Sequence, residues 1–410
     1  MKVIFAGIPG TRKSIALENL RKAAESLGER IYTLKEEPNE RSIPILDDML
    51  YGGEDATTFL KQPEEQRKGK WRTTFEQICK KFDGAREEHH FLGLHFIYRY
   101  EQIPSCAVDF AQLIEWKPDC IVTFIDDVYF IRERLHYGRF TSFNLAEILL
   151  WRAEELLVGD LLARVINPTA PIPNFVIGVQ HPAEMLARLL FRREETVRVY
   201  TSYVITDTRN KKLSRDIIDR FRQKMRNQKQ CAVFDPLTID ELPPLLISKK
   251  SRTGSHLKYD PRRNFRHRWP IMDPQNALSS DADLYQRYPL KIPYGEMKNA
   301  MNAINAQVKM RDLRLVDQSH CLILYRPTMT KDGALSTGVN NELIRAVNKE
   351  IPVVWYVKKG EDPLPKSPFV PKNPKDDPKY VYERTESRLW DLVNNELPKY
   401  IKEERDHFLF

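Results

Sequence analysis

Apolar residues in this chain fall into short continuous runs separated by amphipathic stretches. Val3-Ile4-Phe5-Ala6, Cys120 to Ile125 and Asn174 to Val179 are runs of strand length without polar alternation. That is the pattern of strands covered on both faces. Between them, Ser14 to Leu27 places Ala16, Leu17, Leu20, Ala23 and Ala24 on one face, which predicts a helix. Further expected elements are a strand at Ile31 to Leu34, a helix at Trp71 to Phe82 and a strand at His90 to Tyr98. A helix follows at Ser105 to Trp116 with Ser105 as its cap, then a long helix at Leu145 to Ile166 and another from Pro182. Residues 36 to 70 are polar and carry few signals.

A second series begins near Val197. Val199 to Ile205, Ala232 to Phe234, Cys321 to Tyr325 and Val353 to Val357 read as strands. Leu213 to Asn227, Tyr294 to about Asp317, Asn340 to Asn348 and the stretch from Thr385 read as helices. Strands alternating with helices predict parallel sheets covered on both faces. The expected fold is therefore α/β, with two doubly wound, mainly parallel-sheet domains at 1–196 and 197–410. The second carries an irregular insertion at about 240–293.

Composition narrows the picture a little. With 410 residues, 41% hydrophobic and 30% charged, the chain can bury real cores beneath a polar surface. No apolar run is long enough to span a bilayer. The short run after Met1 is broken by Pro9, Arg12 and Lys13, so it does not read as a secretion signal. Five scattered cysteines form no CxxC pair and no zinc spacing, as expected of a cytoplasmic protein. The formal charge of +8 favours anionic ligands.

The first candidate site is Gly7-Ile8-Pro9-Gly10-Thr11-Arg12-Lys13-Ser14, between a strand and a helix. It matches G-x-x-x-x-G-K-[ST] except at Arg12, which stands where the pattern has Gly. Backbone N–H groups of such a turn wrap phosphates, Lys13 reaches them and Ser14 holds Mg²⁺. Gly10 and Thr11 complete the turn. Asp126 and Asp127 close an apolar strand, where a carboxylate would meet the metal. Arg132 and Arg134 follow, and Arg152 lies on the next helix, as candidates to stabilise phosphoryl charge. The G-x-P-G-x-x-K-S form resembles adenylate-kinase-like nucleoside monophosphate kinases. The resemblance implies a P-loop NTPase domain with ATP or another nucleoside triphosphate and Mg²⁺ as cofactors.

The second candidate site is Ser336-Thr337-Gly338-Val339-Asn340-Asn341-Glu342 and the helix that follows. Gly338 permits close backbone approach and the helix N-terminus favours an anion. Glu342 stands in the first turn, at the sheet edge where open α/β folds bind ligands. The stretch resembles the S-x-G-V-x-x-E-L-x-x-A segment of deoxynucleoside monophosphate N-glycosidases and the nucleoside 2-deoxyribosyltransferases. That resemblance implies a Glu342 nucleophile assisted by Asp317, with Ser202, Tyr203, Arg209, Ser336, Gly338 and Asn341 around the ligand. The family has Asp where this chain has His320.

In the insertion, Lys249, Lys250, Arg252, Lys258, Arg262, Arg263, Arg266 and Arg268 are interleaved with Tyr259, Phe265 and Trp269. Cations with aromatics can bind single-stranded nucleic acid, although a nucleotide phosphate or an acidic neighbouring subunit would serve as well. The expectation favoured by the resemblances is an enzyme that cleaves or transfers the N-glycosidic bond of a nucleotide substrate, behind a triphosphate-binding domain, with a homo-oligomer possible. The alternatives are a nucleoside monophosphate kinase with a sensor domain, a non-catalytic nucleotide-responsive regulatory or defence protein, and an NAD hydrolase.

Overall fold

A computed structural model describes residues 1–33, 43–51, 56–85, 88–100, 102–106, 108–137, 143–205, 211–244, 255–259, 278, 290–327, 335–357 and 380–399. In chain order it begins β1 (Lys2–Ala6), α1 (Lys13–Ser26), α2 (Leu46–Tyr51), α3 (Ala56–Leu60), α4 (Glu64–Asp83), β2 (His90–Gly93), β3 (Tyr98–Tyr100) and β4 (Ile103–Ser105). It continues α5 (Phe110–Trp116), β5 (Cys120–Ile125), α6 (Val128–Tyr137), α7 (Leu145–Ile166), β6 (Asn174–Gly178), α8 (Ala183–Phe191), β7 (Val197–Ser202), α9 (Lys212–Arg226) and β8 (Cys231–Phe234). The remainder comprises β9 (His256–Tyr259), β10 (Leu290–Pro293), α10 (Tyr294–Asp317), β11 (Cys321–Arg326), α11 (Thr337–Asn348), β12 (Val353–Val357), β13 (Tyr380–Glu383) and a short helix Glu386–Asp391.

The chain divides into two compact units. The first holds Met1–Glu184 with Glu241–Asp260 and Asp273–Asn305, and the second holds Met185–Asp240 and the chain from Ala306 onward. The first unit has a parallel sheet in the order β2-β1-β5-β6. The second has a parallel sheet in the order β13-β12-β11-β7-β8. The α/β class with parallel sheets is thus what the apolar runs predict. In each sheet the earliest strand sits inside, with its successor on one side and a later strand on the other. The crossovers reverse there, which opens a crevice beyond the strand ends between β1 and β5 in one unit and between β7 and β11 in the other. No described helix is long and apolar enough to cross a membrane.

Several elements differ from the sequence expectation. Ile31 makes a single bridge to His89. The run His90 to Tyr98 is two strands, because β3 turns away to pair antiparallel with β4. Ser105 ends β4, and the following helix is capped instead by Asp109, whose side chain accepts from the Gln112 N–H. The quiet stretch 36–70 contains α2, α3 and the start of α4. In the expected insertion, β9 and β10 pair as an antiparallel ribbon.

Candidate functional site

The loop after β1 is fixed by local sterics. Gly7 has φ +140°, and a Cβ there would lie 2.7 Å from the Phe124 carbonyl oxygen on β5, so no larger residue fits. Gly10 has φ +84°. Arg12 caps α1 in the left-handed region at φ 57° and ψ 39°, which costs an L-residue about 1–2 kcal/mol. Thr11 is buried and closes the turn with Oγ1 donating to the Ile8 carbonyl over 2.8 Å. The Gly7 N–H is given to Glu155 and the Thr11 N–H to the Ile8 carbonyl, so the turn delivers the chain to the N-terminus of α1, the end of a helix that favours an anion. Ser14, half-buried, opens α1 behind Lys13.

Lys13 does not extend from this loop. Its amine donates to the Gly7 carbonyl and lies 2.6 Å from His95 Nδ1. His95 in turn faces Asp47 Oδ2 at 3.4 Å, and the Tyr98 hydroxyl donates to Asp47 Oδ1 over 2.6 Å. Glu155, on α7, accepts from three backbone N–H groups: Gly7 at 3.1 Å, Phe96 at 2.9 Å and Ile97 at 2.9 Å. Burial lowers the Lys13 amine and, aided by the Lys13 charge, lowers His95 well below the usual imidazole range. Burial pushes Asp47 up to about 7 against the opposing pull of Lys13, and raises Glu155 in the same way. His95, Asp47, Tyr98 and Glu155 were not visible as site residues in the sequence. Glu155 alone had a local signal, since it shares the buried face of α7 with Ile148, Arg152, Gly159 and Leu162.

The carboxylates and arginines beyond β5 are paired with one another. Asp126 Oδ1 accepts from the Asp127 N–H at 2.7 Å, and Oδ2 is 2.6 Å from Arg134 Nη1, which also donates to the Gly10 carbonyl. Asp127 caps α6 by accepting from the Tyr129 N–H at 2.9 Å. Arg132 is tied to Glu296 through Nε at 2.7 Å and Nη2 at 2.8 Å. Arg152 reaches Glu241 at 2.7 Å. Asp126 and Asp127 therefore do not fit the Mg²⁺ role expected of them: a cation would have to displace the Arg134 guanidinium and unmake a helix cap. Among the described residues no group of three or more His, Cys, Asp or Glu is arranged to hold a metal ion.

In the second unit, Ser202 at the end of β7 and Glu342 on α11 meet at the crevice, with Ser202 Oγ donating to Glu342 Oε2 over 2.5 Å. Burial pushes the Glu342 carboxyl up to about 8, reinforced by the nearby Asp312 charge and opposed by the Ser202 hydrogen bond. Ser336 caps α11, accepting from the Val339 N–H at 3.4 Å. Gly338 has open space where a Cβ would stand, and Asn341 is half-buried. Tyr203 instead donates to Asp235, which Arg222 holds at 2.8 Å. Asp317 forms a bidentate pair with Arg345 at 2.6 Å. Arg209 lies outside the described residues, as do Lys249, Lys250, Arg252, Arg262, Arg263, Phe265, Arg266, Arg268 and Trp269 of the insertion. Lys258 stands exposed on β9.

No family model and no curated protein matches the chain. Among solved structures, one similar chain is described as a UDP-N-acetylglucosamine 2-epimerase from Listeria monocytogenes. It is 11% identical, with 98% of this chain and 90% of that one covered and a TM-score of 0.23. Another is MnaA from S. aureus in complex with UDP, 11% identical over 98% and 90% of the two chains, with a TM-score of 0.24. So small an overlap leaves the chemistry of those proteins with them. The resemblances to nucleotide kinases and to deoxyribosyltransferases have no matching family model or curated protein behind them, and they are corrected on the geometry. The kinase, N-glycosidase, NAD-hydrolase and nucleotide-responsive regulatory readings are corrected with them. The geometry gives physical reasons. Lys13 is turned inward, Arg132 and Arg134 are committed to carboxylates, and burial pushes the Glu342 carboxyl toward its neutral form.

Proposed function

We propose that the first unit binds a phosphate-bearing small molecule in the loop Gly7 to Ser14. The form that the loop spacing suits best is an oligophosphate such as that of a nucleoside triphosphate. One observation carries the reading: Gly7, Gly10 and Arg12 all hold positive φ at the junction of a buried strand and a helix N-terminus. With the Gly7 N–H given to Glu155 and the Thr11 N–H to the Ile8 carbonyl, it is the N-terminus of α1 that offers N–H donors and a helix dipole to an anion without needing a metal. The position agrees, because the loop leaves β1 at the sheet's crossover reversal. Lys13 and Arg134, the latter donating to the Gly10 carbonyl, supply positive charge at the loop.

Calorimetric titration of the whole chain with inorganic tripolyphosphate and with ATP, each with and without Mg²⁺, tests this. Saturable binding is expected for both ligands, persisting without Mg²⁺. Lys13→Ala is expected to weaken it about tenfold or more, the worth of a charge-assisted hydrogen bond. No saturable binding of either ligand would refute the reading, and so would unchanged affinity in Lys13→Ala.

A further inference from the structure

Lys13 sits in a complete set of internal partners that a phosphate ligand would have to break. Its amine touches the Gly7 carbonyl, His95 Nδ1 at 2.6 Å and His95 Nε2 at 3.3 Å. None of Lys13, His95, Asp47, Tyr98 and Glu155 is more than 8% exposed. His95 Nδ1 meets both the Lys13 amine and the Gly7 carbonyl, and Nε2 faces Asp47 Oδ2 at 3.4 Å, so the ring stands between the amine and the Asp47 carboxylate. Tyr98 fixes the carboxylate from its other oxygen, at 2.6 Å. The charged and titratable groups around the amine come from every packed element: Asp47, Asp48 and Tyr51 of α2, His95, Tyr98 of β3 and Glu155 of α7.

We infer that His95 and Asp47 are positioning residues that park Lys13 away from the loop's ligand, so that an arriving phosphate must draw the ammonium out of their hold. The inference rests on the phosphate-binding reading above and adds a competition to it. A buried ammonium is tolerable only with opposite charge close by, and the parked position supplies it through Asp47 and Glu155. The amine therefore has two charged homes, one internal and one on the ligand. When the binding-competent arrangement is only a fraction of the population, apparent affinity falls by that fraction. His95 and Asp47 thus set affinity without touching the phosphate.

The test measures two quantities on the full chain: the rate of Lys13 acylation by a water-soluble activated ester, read by peptide mass spectrometry, and the affinity for tripolyphosphate. The variants are His95→Leu, Asp47→Asn and His95→Gln. Removing one charge-assisted hydrogen bond shifts such an equilibrium about tenfold. His95→Leu is expected to raise both Lys13 labelling and tripolyphosphate affinity by about that factor, and Asp47→Asn to raise them less. His95→Gln, which can still accept from Lys13 and donate to Asp47, is expected to return both toward the parent values. Labelling unchanged in both His95→Leu and Asp47→Asn would overturn the inference, and so would labelling that rises while affinity falls. Asp47→Asn decides alone if His95→Leu does not fold. Faster labelling with no tripolyphosphate binding by any protein would overturn the phosphate-binding reading and the competition drawn from it, while the hold on Lys13 stood.

Discussion

Glu342 shows what burial does to one side chain. Its carboxyl is pushed up to about 8 from an ordinary 4.5, first by loss of water and then by Asp312. In the unfolded chain Glu342 ionises near its ordinary value, whereas the folded chain keeps the proton. The proton's contribution to stability is therefore complete below about pH 4.5 and is lost as pH rises through about 8. Urea unfolding of the parent chain should show this decline across that window, and Glu342→Gln, which cannot ionise, should flatten it. An equally steep decline in the variant would mean that other groups cause it. The residue itself was legible in the sequence because Ser336, Gly338 and Glu342 lie within two turns of a helix start, although Glu342 stands in the second turn and not the first. Its raised pKa was not, because that depends on burial and on the Asp312 charge, which only folding brings to it. The first loop divides in the same way. Gly7, Gly10 and Lys13 were readable from spacing, while Asp47 and His95 come to Lys13 only through folding.

The element that organises the first site is α7. Its inward face carries two charged residues among apolar ones, Arg152 bound to Glu241 and Glu155 bound to the loop. One carboxylate thereby fastens the start of the Gly7 loop and the Phe96–Ile97 backbone to the same helix. Glu155→Ala leaves three buried N–H groups without this acceptor. The expected loss is about 3–6 kcal/mol, at 1–3 kcal/mol for each unsatisfied group with some relief by relaxation. Glu155→Gln, keeping one acceptor oxygen, should lose less. Equilibrium denaturation of both variants measures it, and a loss in Glu155→Ala below about 1 kcal/mol would show that the loop is anchored elsewhere. Elements with dense local signals were read correctly, as α7 and β5 show. The errors arose at short strands, whose few residues leave little pattern. Ser105 is a good helix cap by type, yet β3 recruits it into a strand, and Asp109 takes the cap. The short strand β13 went unseen because its four residues, Tyr380 to Glu383, carry too short an apolar run to signal a strand.

At the scale of the whole molecule, both sheets place their first strand inside, and both put polar side chains at the reversal that follows. That repetition could be anticipated in outline, since buried strands alternating with helices leave few sheet arrangements. The family could not be read in the same way. A loop motif of eight residues and a helix start of seven define local backbone, and the chemistry built on them is set by partners from elsewhere in each unit. The excess of positive charge suits an anionic ligand without choosing its place. The placing is the central claim, and a crystal structure of the chain soaked in tripolyphosphate tests it most directly. The anion is expected in the turn of residues 7–14, held at the N-terminus of α1, with the Lys13 amine moved from His95 onto a phosphate oxygen. An anion bound elsewhere at saturating concentration, with the loop empty and Lys13 still against His95, would contradict it.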